Sequence, residues 1–159
     1  MYRRILVPID GSDCAKAGLR ELTRLGDPQT SQVLLIHVVN EARWDQEFPT
    51  GTVGAIMQES PHKDASDLLL SAQKTVQQWG ISCQVMLAEA QGQSTAQVIV
   101  AQATRWNAEL ILMGTHGRRA VSHLILGSDA AEVVSAAWTP VLLVRHMPSH
   151  EEPLRRNPR

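Results

Sequence analysis

Leu110-Ile111-Leu112-Met113-Gly114-Thr115-His116-Gly117-Arg118-Arg119, continuing to Leu126-Gly127-Ser128, is the stretch that decides the fold. Leu110 to Met113 is a short apolar run, the length and composition of a strand buried on both faces in a parallel sheet. It stops at Gly114, and Gly117 follows three residues later. Nine residues then intervene before Gly127-Ser128, from which the pattern turns helical. A buried strand, a glycine turn and a Ser-capped helix together make a phosphate cradle. Glycine lets the backbone approach an anion closely and take positive φ. A helix start offers unpaired N–H groups and the positive end of its dipole. The expected donors are the N–H groups of Gly117, Gly127, Ser128 and Asp129, with the Ser128 hydroxyl. Arg118 and Arg119 sit inside the loop, where a guanidinium either meets phosphate oxygens or stays solvated. His116 either donates to phosphate or shapes the turn, and the turn is favoured.

Toward the N-terminus, Ile5-Leu6-Val7-Pro8-Ile9 is a second solid apolar run, closed by Asp10-Gly11-Ser12-Asp13. Pro8 has no N–H for a ladder, so pairing is expected to stop about there. Asp10-Gly11-Ser12-Asp13 is turn and cap chemistry, with Ser12 or Asp13 capping a helix from about Cys14 to Leu25. Leu19, Leu22 and Leu25 recur at helical spacing. Val33 to Val39 is the second buried strand, and its lone His37 reads as a satisfied core or edge histidine. Asn40 to about Lys63 is a long polar stretch, of a length that is usually functional or mobile. A helix is predicted over 64–79, an alternating and therefore edge-like strand over 81–87, and a helix over 95–106. After the glycine loop come a helix over 128–137 and a last strand, Val141 to Val144. Alternating strands and helices give an α/β fold with a parallel sheet and right-handed crossovers. In such sheets ligands sit at the C-terminal strand ends where strand order reverses. With the first and fourth strands adjacent, in order 3-2-1-4-5, Asp10 and Gly114 meet there.

The chain has 159 residues, 43% hydrophobic and 19% charged, enough for one domain with a real core. Lys and Arg total 15 against 16 Asp and Glu. That balance offers nothing to nucleic acid, and no basic amphipathic stripe offers anything to a membrane. No run approaches a transmembrane span or a signal-peptide core, so a cytoplasmic protein is expected. Two cysteines, Cys14 and Cys83, make no disulfide framework. The histidines show no zinc-ligand spacing, and the four tryptophans read as packing. Residues 147–159, rich in proline and mixed charge, are expected to be a disordered tail.

Gly-x2-Gly-x9-Gly-Ser after a buried strand resembles the nucleotide-binding signature of the universal stress protein family. Arg4 to Ser12 looks like that family's opening strand and Val141 to Arg145 like its closing one. The resemblance covers residues 2–146, and 1–146 is taken as the domain. It implies a three-layer sandwich, a five-stranded parallel sheet of order 3-2-1-4-5 with four helices, as in the adenine nucleotide alpha hydrolases. It implies an adenine nucleotide (ATP, ADP or AMP) as ligand. Backbone groups at Val39 would read the adenine, and Pro8 and Ile9 would line the base or ribose pocket. Asp10 would take ribose hydroxyls or Mg²⁺ through water, against the simpler reading of a turn-forming Asx. Met113 would lie on the ribose side, or serve only the core. It implies a homodimer paired through Val141–Val144, which would cover an otherwise open sheet edge. Asp129 departs from the family pattern, which has a small or apolar residue there. A carboxylate facing inward would repel phosphate, and one facing solvent would favour the helix dipole.

The function expected is a nucleotide-binding regulatory protein of stress response. No Walker lysine motif and no dedicated general base is present, so hydrolysis is at most slow, with Arg118 or Arg119 stabilising charge. Two alternatives come from other classes. One is an interaction module that binds no nucleotide, which Asp129 favours. The other is an enzyme of nucleotide chemistry such as an adenylyl transferase, against which the short chain counts.

Overall fold

A computed structural model describes residues 1–40, 61–117 and 126–146. Five strands appear in chain order: β1 (Arg4–Pro8), β2 (Gln32–Val39), β3 (Ser82–Glu89), β4 (Leu110–Gly114) and β5 (Val141–Val144). Four helices lie among the described residues: α1 (Asp13–Leu25), α2 (Pro61–Gln78), α3 (Thr95–Arg105) and α4 (Ser128–Ala136). All pairings are parallel and the sheet order is β3-β2-β1-β4-β5, as expected.

Period-two alternation divides the sheet into two apolar faces. Ile5, Val7, Ile9, Val33, Leu35, Leu110 and Leu112 pack with Leu19 and Leu22 of α1 and with Leu69, Ala72 and Val76 of α2. Leu6, Leu34, Ile36, Ile111 and Met113 pack with Val98, Ile99 and Ala103 of α3 and Ala130 and Val133 of α4. The result is a three-layer sandwich with its central strands, β1 and β4, covered on both sides. Each fully buried Leu, Ile or Val contributes about 1.5–3 kcal/mol.

Local chemistry sets the helix ends. The Ser12 hydroxyl accepts from Ala15 N at 3.1 Å and caps α1. Ser94 and Gln97 form a reciprocal capping box at α3. The Ser94 hydroxyl also donates to Glu132 of α4 at 2.6 Å, tying the two helices of that face together. Most boundaries move by a residue or so from the sequence expectation, and three changes have consequences. Helix α2 starts at Pro61, three residues early, because proline is at home in a first helical turn. Strand β3 runs on to Glu89, paired with β2 along its whole length as far as Val39–Glu89. Helix α4 has Gly127 as its N-cap, with no side-chain cap bond, so Ser128 is its first residue and not its cap.

Pro8 governs how β1 and β4 separate. Glu109 N donates to Arg4 O, whereas Gln32 N donates to Arg3 O and Ile9 N to Ile36 O. Odd residues of β1 therefore address β2, and even residues address β4. The nitrogen of Pro8, an even position, faces β4 and carries no hydrogen. Pairing with β4 is confined to Ile5–Leu110 and Leu6–Ile111, while pairing with β2 continues through Pro8–Ile36. The expected stop at Pro8 is thus one-sided. Beyond Leu6 the C-terminal half of β4 pairs only with β5, as far as Gly114–Val144. A crevice opens between β1 and β4 at the point where strand order reverses, the place where doubly wound sheets seat ligands.

Candidate functional site

Asp10, Ser12, Gly114, Thr115, His116, Gly117, Gly127 and the first turn of α4 converge at this crevice. Gly11, with φ +83°, lets the chain turn out of β1 at once. The Asp10 carboxylate then folds back: its Oδ1 accepts from Ser12 N at 3.0 Å and from the Ser12 hydroxyl at 2.7 Å. The Ser12 oxygen also lies 3.3 Å from His116 O, which brings the β1 turn against the β4 loop. A Cβ on Gly117 would lie 2.7 Å from Asp10 Oδ2. Gly117 thus leaves room for the Asp10 carboxylate in the place where the fold holds it.

The other two motif glycines also serve close approach. A Cβ on Gly114 would meet Cys14 C and Cβ at 2.7 Å and Ala15 N at 2.9 Å, so this glycine seats the first turn of α1 against the end of β4. A Cβ on Gly127 would stand 3.1 Å from Thr115 O. None of the three takes a positive φ; of the two uses of glycine named from the sequence, the fold employs close approach here. Gly127 N donates to Thr115 O at 2.8 Å, so this N–H does not join the expected set of phosphate donors. The first-turn amides of Ser128, Asp129 and Ala130 have no helical carbonyl behind them and remain the positive end of α4.

Thr115 is the residue that sequence reasoning missed. It is buried, its N–H donates to Val144 O at 2.9 Å and its carbonyl takes Gly127 N. Its hydroxyl lies 3.0 Å from His116 Nδ1. That contact holds the His116 ring against its own neighbour in the turn. Met113 is buried against Ile111 and Val133, as a core residue. Val39 is buried too, and its carbonyl accepts from Ala90 N at 2.9 Å. Pro8 and Asp10 are half-buried at the crevice, with Ile9 buried beneath. Ser128 is exposed and Asp129 half-buried. Arg118 and Arg119, most of the 40–63 stretch and the 147–159 tail lie outside the described residues. Among the described residues no group of three or more His, Cys, Asp or Glu side chains could hold a metal ion. No helix among them is long and apolar enough to cross a membrane.

A family model described as the universal stress protein family matches residues 1–145. The chain belongs to the universal stress protein family. A family member from Methanocaldococcus jannaschii is 27% identical over 145 residues, covering 91% of this chain and 83% of that protein. Another protein of that organism, of known structure, superposes with a TM-score of 0.77 at 24% identity, over 94% of this chain and 99% of the other. The universal stress protein of Archaeoglobus fulgidus in complex with dAMP superposes with a TM-score of 0.65 at 22% identity, over 90% and 98%. At these identities the structural likeness speaks for the fold.

Within the universal stress protein fold, small residues explain how the site closes. Cys14, Ala15, Ala17 and Gly18 cluster at the start of α1, and the last three are buried. That run of small side chains was the available sign that α1 would lie tight on Gly114. Nothing comparable marks Thr115, whose role is carried by its main chain.

Proposed function

We propose that this universal stress protein binds an adenine nucleotide in the crevice between β1 and β4, as a regulator in stress response. The observation that carries the proposal is the meeting of Asp10 with Gly117 and of Thr115 with Gly127 beside the N-terminal end of α4. One rim offers a carboxylate and the other the positive end of a helix. A nucleotide has the matching polarity, with ribose hydroxyls that donate and phosphates that accept. The dAMP bound to the A. fulgidus relative supports the same assignment.

In this proposal the phosphates meet the amides of Gly117, Ser128 and Asp129, the Ser128 hydroxyl, Arg118 and Arg119. Gly114, Gly127 and His116 shape that loop. Asp10 takes the ribose, Pro8, Ile9 and Met113 border it, and main-chain groups at Val39 meet the base. Mg²⁺ would need the phosphates as ligands, with Asp10 as the single carboxylate and water completing the shell. ATP is the ligand proposed, and the protein acts as a cytoplasmic binding protein with at most slow hydrolysis.

The Gly127 N–H already used by Thr115 and the carboxylate at Asp129 favour a second reading, an interaction module without nucleotide. Isothermal titration with ATP and Mg²⁺ separates the two. Saturable heat supports the nucleotide site; none at millimolar ATP leaves the module.

We also propose a homodimer through Val141–Val144. Strand β5 is a sheet edge, and Leu142 on it is exposed with Val134 of α4 and a fully exposed Trp138 nearby in sequence. An open apolar edge of this kind pairs readily with its own copy. Sedimentation at micromolar concentration will give the mass of a dimer, and Leu142→Lys with Trp138→Ser a monomer. A wild-type monomer refutes the pairing.

A further inference from the structure

His37 reaches the site from the strand next door. Its ring Nδ1 lies 2.6 Å from Ile9 O. A carbonyl has no proton to give, so Nδ1 carries the hydrogen and donates it. Ile9 is where β1 leaves the sheet: its N–H still bonds Ile36 O at 2.8 Å, one residue past the last ladder pair. The imidazole thus supplies a donor to the first carbonyl beyond the end of the strand.

That carbonyl belongs to the Ile9–Asp10 peptide. The peptide unit is planar, so holding Ile9 O also fixes the nitrogen and Cα of Asp10. From there the Asp10 carboxylate takes Ser12 N–H and hydroxyl, and its Oδ2 fills the space that a Cβ on Gly117 would need. Small rotations of the peptide would swing this carboxylate across the crevice.

We propose that His37 is a positioning residue: through Ile9 O it sets the aim of Asp10 without touching the ligand. The ligand half of this inference rests on the nucleotide site proposed above; the Asp10 half does not. Three proteins test it. Wild type gives the ring tautomer by ¹⁵N NMR. His37→Leu keeps bulk and removes the donor. His37→Asn places an amide donor near the position of Nδ1. Amide exchange at Ser12 reports the hold on Asp10, and ATP titration reports the site.

The expected results are an Nδ1-protonated ring, Ser12 exchange in His37→Leu faster by about 3- to 10-fold, and ATP binding weaker by a similar factor, the effect of one net hydrogen bond. His37→Asn recovers most of both. An Nε2-protonated neutral ring overturns the proposal on wild type alone, whether or not the variants fold. So does a His37→Leu protein equal to wild type, or a His37→Asn no better than His37→Leu. Failure of wild type to bind ATP, with tautomer and exchange as expected, removes the nucleotide site and keeps the hold on Asp10. Binding by wild type and His37→Leu alike removes the positioning role and keeps the nucleotide site.

Discussion

Gly114→Ala will destabilise the protein, and Gly18→Ala, across the same α1–β4 contact, will stabilise it. A methyl at 114 would lie 2.7 Å from Cys14 C and Cβ and 2.9 Å from Ala15 N, against an ordinary contact that begins at 3.4 Å. The overlap is about 0.7 Å, and two of the three atoms are main chain. No rotamer change relieves it, so the start of α1 must move away from β4. Overpacking of a fixed core costs about 1–3 kcal/mol, and main-chain collisions fall at the upper end. At roughly 2–4 °C per kcal/mol for a protein of this size, Tm drops by about 6–12 °C. A methyl at Gly18 would instead find Met113 C at 3.6 Å and Gly114 N at 3.7 Å, ordinary van der Waals contact. Ala gains about 0.8–1 kcal/mol over Gly inside a helix, so Tm rises by about 2–4 °C. Thermal unfolding by circular dichroism, with urea midpoints beside it, measures both. A Gly114→Ala protein melting within about 2 °C of wild type refutes the reasoning, as does a Gly18→Ala protein that loses stability.

Ser12→Ala removes the α1 cap and one partner of Asp10, and will lower unfolding free energy by about 1 kcal/mol in urea; an unchanged midpoint contradicts the cap. Burial pushes the Cys83 thiol up from 9.0 to about 11. The unfolded chain loses this proton first, so the stability it contributes is complete below about pH 9 and is lost as pH rises toward 11. Cys83→Ala will flatten that part of the alkaline stability curve, and identical slopes in the two proteins refute the assignment. Asp129→Asn removes a negative charge from the first turn of α4: it will bind ATP more tightly and lose about 0.3–1 kcal/mol of helix-dipole stabilisation, both read by titration and unfolding. Unchanged affinity would place the Asp129 carboxylate away from phosphate.

The sheet was legible because its central strands are solid apolar runs and its edge strand β3 alternates, and burial alone produces that contrast. The glycine spacing pointed to close approach of the main chain, but not to what approaches. Gly114, Gly117 and Gly127 are set by close approach of Cys14, Asp10 and Thr115, partners that only the folded chain brings near. Ser128 read as a cap from residue preference, but the contact with Thr115 puts Gly127 at that position and pushes the serine one residue into the helix. Pro61 read as loop because a proline amid polar residues has the same composition in a loop and in a first turn. His37 could be classed as satisfied, yet its partner, Ile9 O, depends on the β1–β2 register, which one sequence does not state.

The missing hydrogen on Pro8 has a consequence for how this protein tolerates change. The gap between β1 and β4 is held apart by the main chain itself, because an imide nitrogen cannot zip the two strands further. Side chains around the rim can therefore drift, and alter which guest is admitted, while the doorway stays open. A residue with an amide proton at position 8 would give the two strands one more bond to close with.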